Sequence, residues 1–360
     1  MKSRVYFIAV NNVDTAVDIK IKLTQLLLDS RILGFVNKGS SVCIKMHFGE
    51  EGNTGFVKAE YVRLIVDYLL SKGAQPFLSD TNTLYKGRRT SSAEHLRLAA
   101  EHGFKRELIG AKVIIPDEKI KADIQEIEIG GRFIKTAKIA RVFLDADVLI
   151  GIAHFKGHIM TGFGGALKNI GMGCASREGK LAQHSDLAPY VAMEKCTGCG
   201  ECVKVCPVSA ISLKKNKSHI DNAICIGCAT CIAVCPFSAI DVHWDKGGEL
   251  IQERMVEYAK SVLKDKKDSC AFINFAIKIT KECDCLAKDD PRISPDIGIL
   301  ASQDPVSLDK ACLDLVNKAC GKDIFKEVHP QRNGFKQLEY AERLGLGSLD
   351  YELIQIRLSD

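Results

Sequence analysis

The sequence predicts an α/β protein, a largely parallel or mixed sheet flanked by helices and interrupted by a cysteine-rich module. Three observations lead there. Apolar β-prone runs alternate with amphipathic helical runs on both sides of residues 189–245. Eight of the fifteen cysteines fall into two copies of one pattern inside that segment. No Pro/Gly/Ser-rich linker flanks it, so 189–245 reads as an insertion, with 1–188 and 246–360 as two parts of one α/β domain.

The elements follow in order. VYFIAV (Val5–Val10) is a first strand; no small-residue cleavage site follows it, so it does not read as a signal peptide. Ser41–Met46 is apolar and β-prone. Glu60–Ser71 carries apolar residues at helical spacing and stops at Gly73. Gln75–Ser79 leads to Asp80. Ser91–His102 reads as a helix ending at Gly103, Lys112–Pro116 as a short strand, and Ile124–Ile129 as an alternating one. Ala140–Leu144 and Val148–Ala153 read as the next strands. Beyond the module come a helix (Glu249–Leu263), strands at Cys270–Ile279 and Asp296–Leu300, and an amphipathic helix (Val306–Cys320) stopped by Gly321, with Asp304 as its N-cap.

Composition excludes several classes. Hydrophobic residues make up 46% and charged ones 26%, which is ordinary for a globular chain. A net charge of +5 is too mild to argue for nucleic acid, and no apolar run approaches the ~20 residues of a membrane span. Cysteines set in metal-ligand patterns rather than disulfide patterns point to the cytoplasm.

The module carries the most specific signal. Cys196–Pro207 and Cys225–Pro236 each read C-x2-C-x2-C-x3-C-P, offset by 29 residues, and the repeat continues into VSAI and FSAI. Three thiolates at this spacing wrap one cubane, and the fourth reaches the other cluster. The spacing therefore predicts two [4Fe–4S] clusters. Cys196, Cys199, Cys202 and Cys235 hold one; Cys225, Cys228, Cys231 and Cys206 hold the second. Zinc would need neither the third cysteine nor the following CP. Residues 190–243 resemble the bacterial two-cluster ferredoxins.

A wider resemblance rests on four stretches: His154–Gly173 (HFKGHIMTGFGGALKNIGMG), Ile44–Gly55 (IKMHFGEEGNTG), Cys283–Cys285 (CDC) and Asp296–Ala311 (DIGILASQDPVSLDKA). Together with the module they resemble a family of uncharacterised iron–sulfur centre proteins, a domain of unknown function. The glycine-rich run is also similar to a loop in the N-terminal domain of nickel-pincer lactate racemases, where a lysine holds the cofactor. That likeness would put Lys168 in the lysine's place, although the spacing from the histidine differs and Gly164 stands where that loop has serine.

The candidate site follows from strand ends. The loop after Val148–Ala153 is neither a Walker A loop nor G-x-G-x-x-G, because Lys168 lacks the following Ser/Thr and Leu167 replaces the third glycine. A glycine-rich loop opening a helix can still bind an anion through Gly164, Gly165 and Ala166, with Lys168 as counter-charge. His47 with Glu50, His154 with His158, and Asp80 each end a strand, and three polar strand ends can share one rim. His184 is placed near it. Lys168, His154 and His47 are thus the expected catalytic residues, and Asp80 an expected cofactor contact. Cys283 and Cys285 suit a third metal or thiol redox site, with Cys174 or a histidine, or a structural role.

The functional expectation is an iron–sulfur redox protein passing electrons between a redox partner protein and a small-molecule substrate site on the α/β domain. An additional metal or small-molecule cofactor is compatible with it. Two alternatives stand beside it: a pure electron-carrier subunit with a docking domain, and a racemase-like enzyme with a pincer-type cofactor.

Overall fold

The computed structural model describes residues 2–116, 121–185, 188–243 and 250–358. The expected module boundary at 245/246 lies outside these ranges, as does Glu249. Eight strands form the main sheet: β1 (Ser3–Ala9), β2 (Ser41–Lys45), β3 (Gln75–Ser79), β4 (Lys112–Ile114), β5 (Val148–His154), β6 (Cys270–Ala276), β7 (Gly298–Ser302) and β8 (Tyr351–Gln355). Their order is β8-β1-β7-β6-β5-β2-β3-β4. Every neighbouring pair is parallel except those made by β7, which runs antiparallel to β1 and β6. β5 and β6, separated in sequence by the cysteine-rich segment, pair directly from Leu149 opposite Cys270 to His154 opposite Phe275.

Burial on both faces explains the near-continuous apolar strands. Along β2, β5 and β6 the two-residue period sorts side chains into two cores. Cys43, Leu149 and Phe272 face the helices Ala166–Gly171, Ile251–Leu263 and Pro305–Cys320. Ile44, Ile150 and Ile273 face the helices Ala16–Ser30 and Ala59–Ser71. Asp304 caps the helix Pro305–Cys320, its carboxylate accepting from the amides of Val306 and Ser307 at 2.8 and 2.9 Å. Among the described residues, no helix is long and apolar enough to cross a membrane.

Two expectations need correction. Ala140–Leu144 is not a strand: Arg141–Asp145 forms a short helix leading into β5. The alternating run is a strand as expected, Ile124–Glu128, paired antiparallel with Thr136–Ala140 outside the main sheet. The glycine-rich run is not a loose loop. Lys156–His158 and Gly162–Gly164 form an antiparallel hairpin, and the helix Ala166–Gly171 begins at once.

Between β5 and β6, residues 190–241 form small two-stranded pairs around a separate core containing Cys196, Cys202, Cys231 and Cys235. The sequence repeat is also a backbone repeat. Gly198 and Gly227, Gly200 and Ala229, and Ser209 and Ser238 all take positive φ, each pair 29 residues apart. A Cβ on Gly198 would come within 2.2 Å of the Asn216 carbonyl oxygen, so glycine is needed there. Leu84 and Leu181, from outside the module, complete its core.

Candidate functional site

The carboxyl ends of β2, β3 and β5 converge, the edge where open α/β sheets place ligands. Lys45 ends β2 with a side chain only 1% exposed. Its ammonium lies 3.0 Å from Asp80, just past β3, and donates to Asn169 at 2.8 Å. Asn169 donates in turn to the carbonyls of Lys45 and Ile152, tying the short helix to two strands. Gly173 is required because a Cβ there would sit 2.3 Å from the Asn169 carbonyl oxygen, and 2.4 Å from Lys45 Nζ. Burial alone would raise the Asp80 carboxyl; the Lys45 ammonium, then His47 and His95, hold it well below the ordinary carboxylate range.

His47 accepts a hydrogen bond at Nδ1 from the Gly49 amide at 2.9 Å. Its Nε2 is buried without a hydrogen-bond partner among the described residues. Burial, then the Arg89 charge, keep the ring neutral. Glu50, four per cent exposed, takes the Arg89 guanidinium at 3.0 Å. His154 ends β5 with both nitrogens engaged, Nδ1 at 2.9 Å from Asp284 and Nε2 donating to the Ile277 carbonyl at 3.0 Å. Both ring nitrogens of His154 are thus occupied by protein partners, which anchor the ring at the rim.

Asp284 is the residue that sequence reasoning missed. It sits between Cys283 and Cys285 and is 1% exposed. Its carboxylate meets His154 and, at 3.1 Å, Lys156. Burial opposes its charge, but His154 and Lys156 depress its pKa well below the usual value. The Glu50 amide donates to the Asp284 carbonyl at 3.0 Å, and the Tyr85 hydroxyl to the Cys285 carbonyl at 2.9 Å. The short motif is thus pinned to the rim by two charges and two backbone hydrogen bonds. Cys283 and Cys285 are disulfide-bonded, and His158 joins them in a group whose ligand atoms lie within 4.8 Å of one another. Cys174 is no part of it; it is buried in the main core with Cys43.

Lys168 stands on the short helix above this group. Its ammonium has no hydrogen bond or ion pair among the described residues. Burial, then the Lys156 charge, push its pKa down to about 7. Burial and then the Lys168 charge push His184 to about 3. Lys180 donates to Thr81 and to the Asn82 carbonyl, and Arg177 to the carbonyls of Thr83 and Thr90. Five basic side chains (Lys45, Arg89, Lys156, Lys168 and Lys180) thus gather with three carboxylates, Glu50, Asp80 and Asp284.

An internal carboxylate occupies the helix N-terminus. The Ala166 and Leu167 amides donate to the Asp309 carboxylate at 2.7 and 2.9 Å, and a Cβ on Gly165 would lie 2.2 Å from the same group. Of the amides expected to meet a cofactor, that of Ala166 is therefore already taken within the protein. Burial raises the Asp309 pKa to about 6 despite these donors. Asp309→Ala should cost about 2–4 kcal/mol, since two buried amides lose their acceptor; a urea titration of the purified variant checks it.

The eight module cysteines line two separate cavities. Cys196, Cys199, Cys202 and Cys235 line the first; Cys206, Cys225, Cys228 and Cys231 line the second. Each contains three thiols from one run and one from the other. Amides point at the sulfurs: Ser218 to Cys196 at 3.4 Å, Ala210 to Cys206 at 3.2 Å and Ala239 to Cys235 at 3.2 Å. Lys86 donates to the Pro236 carbonyl at 2.6 Å, so the segment Leu84–Lys86 touches both the first cavity's core and, through Tyr85, the Cys285 carbonyl.

Fold and rim define an α/β protein with a mostly parallel sheet, a charged strand-end site and a thiol-rich module beside it. The chain belongs to the family described as Domain of unknown function (DUF362), whose signature matches residues 42–314. No curated protein matches the chain. Similar solved structures include a protein from Thermotoga maritima (14% identity, TM-score 0.44, covering 88% of this chain and 59% of that one). Another is the lactate racemase apoprotein from Thermoanaerobacterium thermosaccharolyticum (15%, TM-score 0.44, covering 87% and 56%). The chain spans less than three fifths of either.

Proposed function

We propose that the protein is an iron–sulfur redox protein that exchanges electrons between two [4Fe–4S] clusters and the strand-end site. The observation that carries this reading is the crossed lining of the two cysteine cavities. The donor set fits: four thiols per cavity, backbone amides aimed at sulfur, and positive-φ residues that let the chain pass close. Such clusters, when bound, accept and release one electron at a time. The eight thiols would hold them, Leu84 and Leu181 pack into the apolar core of the module, and Tyr85 and Lys86 connect the first cavity to the rim.

Protein purified and assayed under anaerobic conditions should contain about eight iron and eight acid-labile sulfide per chain. About two zinc per chain with no sulfide would overturn the reading. Lys168→Ala should retain the full iron content and lose electron exchange with whatever the rim binds. Unchanged exchange in that variant would favour the pure carrier.

A further inference from the structure

We propose that Cys283 and Cys285 form a reversible two-electron disulfide/dithiol centre that reacts with a thiol or disulfide ligand arriving at Cys285. The proposal names the ligand chemistry of the strand-end site and rests on the reading above for the onward path of electrons, but not for the couple itself.

The bond joins residues two apart in sequence. Such a closure removes almost no loop entropy from the unfolded chain, because stabilisation grows with loop length. Nor is it needed to hold the motif in place. Asp284 is gripped by His154 and Lys156, and the backbone on either side is bonded to Glu50 and Tyr85. The scaffold therefore positions both sulfurs whether the bond is closed or open, which is what reversible chemistry requires.

Access is asymmetric. Cys283 is 4% exposed, whereas Cys285 is only partly buried. An incoming thiolate attacks the Cys285 sulfur. The S–S bond breaks, and Cys283 leaves as a thiolate that takes up a proton. The donor's second thiol then attacks the mixed disulfide, releasing Cys285 as a thiol and the donor as its disulfide. Two electrons and two protons pass to the protein, and the reverse sequence reduces an external disulfide. The His158 ring, which burial and then the Lys168 charge keep neutral, lies beside both sulfurs, and Lys156 pairs with the carboxylate of Asp284, the residue between the two cysteines.

The test uses the iron-loaded protein under anaerobic conditions, equilibrated with dithiothreitol buffers of graded oxidation and trapped with iodoacetamide. Trypsin cleaves after Lys281 and Lys288, and the fragment Glu282–Lys288 carries both cysteines and none of the other thirteen. Mass spectrometry should show the doubly alkylated fragment appearing in a single two-electron transition. In fully reduced protein, Cys285 should alkylate about ten-fold faster than Cys283, in line with its exposure. Cys285→Ser should abolish the transition while iron stays unchanged. Three outcomes overturn the proposal: a fragment that never reduces, one never found oxidised, or one protected until a chelator is added, which would make the group a metal site. Loss of iron with the transition intact would count against the cluster reading alone.

Discussion

Cys235→Ser should remove about half of the iron, and remove it from the cavity built by the other run of cysteines. Cys235 closes the site of Cys196, Cys199 and Cys202 and lies away from Cys225, Cys228 and Cys231. The crossing makes double variants decisive. Cys199→Ser with Cys235→Ser acts on one cavity and should lose no more iron than either change alone. Cys199→Ser with Cys206→Ser acts on both and should lose nearly all of it. Iron and sulfide analysis of the two single and two double variants distinguishes this from the uncrossed arrangement, in which Cys199 and Cys206 would share a site.

The second large effect concerns Asp80. Replacing it with alanine leaves the Lys45 ammonium buried with only Asn169 and the Met46 carbonyl to bond. Breaking a buried pair in this way costs about 3–5 kcal/mol. Most of that loss should be recovered in Asp80→Leu with Lys45→Met, which removes both charges. The pH dependence has a definite sign. The folded Asp80 carboxyl lies below its ordinary value of 3.8. Its stabilisation is therefore complete above the unfolded pKa and is lost as pH falls through the folded one. Asp309 works the other way. Its folded value is raised to about 6, so its contribution is full below the unfolded value and is lost as pH rises through 6. Urea midpoints measured from pH 3 to 8 should show a flattened acid limb in Asp80→Ala and a flattened limb between 4 and 6 in Asp309→Asn.

The sheet was legible because its central strands obey simple rules. Val148–His154 and Cys270–Ala276 are unbroken apolar runs, as strands buried on both faces must be. The helices at 59–71, 92–101 and 305–320 announced themselves by period and by their end residues. Arg141–Asp145 misled because three apolar residues, Val142, Phe143 and Leu144, are too few to show a period. The rim was legible only in outline. His47, Asp80, His158 and Lys168 could be found as polar residues following strands, but their partners lie far away in sequence. Asp284 is 130 residues from His154, and Asp309 is 143 from Ala166. One signal could have exposed Asp284: an acid flanked by two cysteines in a polar stretch is oddly placed for a surface residue. Asp309 offered no such sign, because in sequence it looks like an ordinary solvent-facing position on an amphipathic helix.

The strand order has a consequence for how the chain is made. β5 leaves the ribosome before the cysteine segment, and its partner β6 only after it. β1 waits longer still, pairing first with β7 and then with β8. During synthesis the eight thiols are therefore exposed while the sheet beside them is unfinished and its edge unpaired. Any metal delivered before β6 has formed would meet cavities that are still open, and the same thiols would be open to oxidation over the same interval.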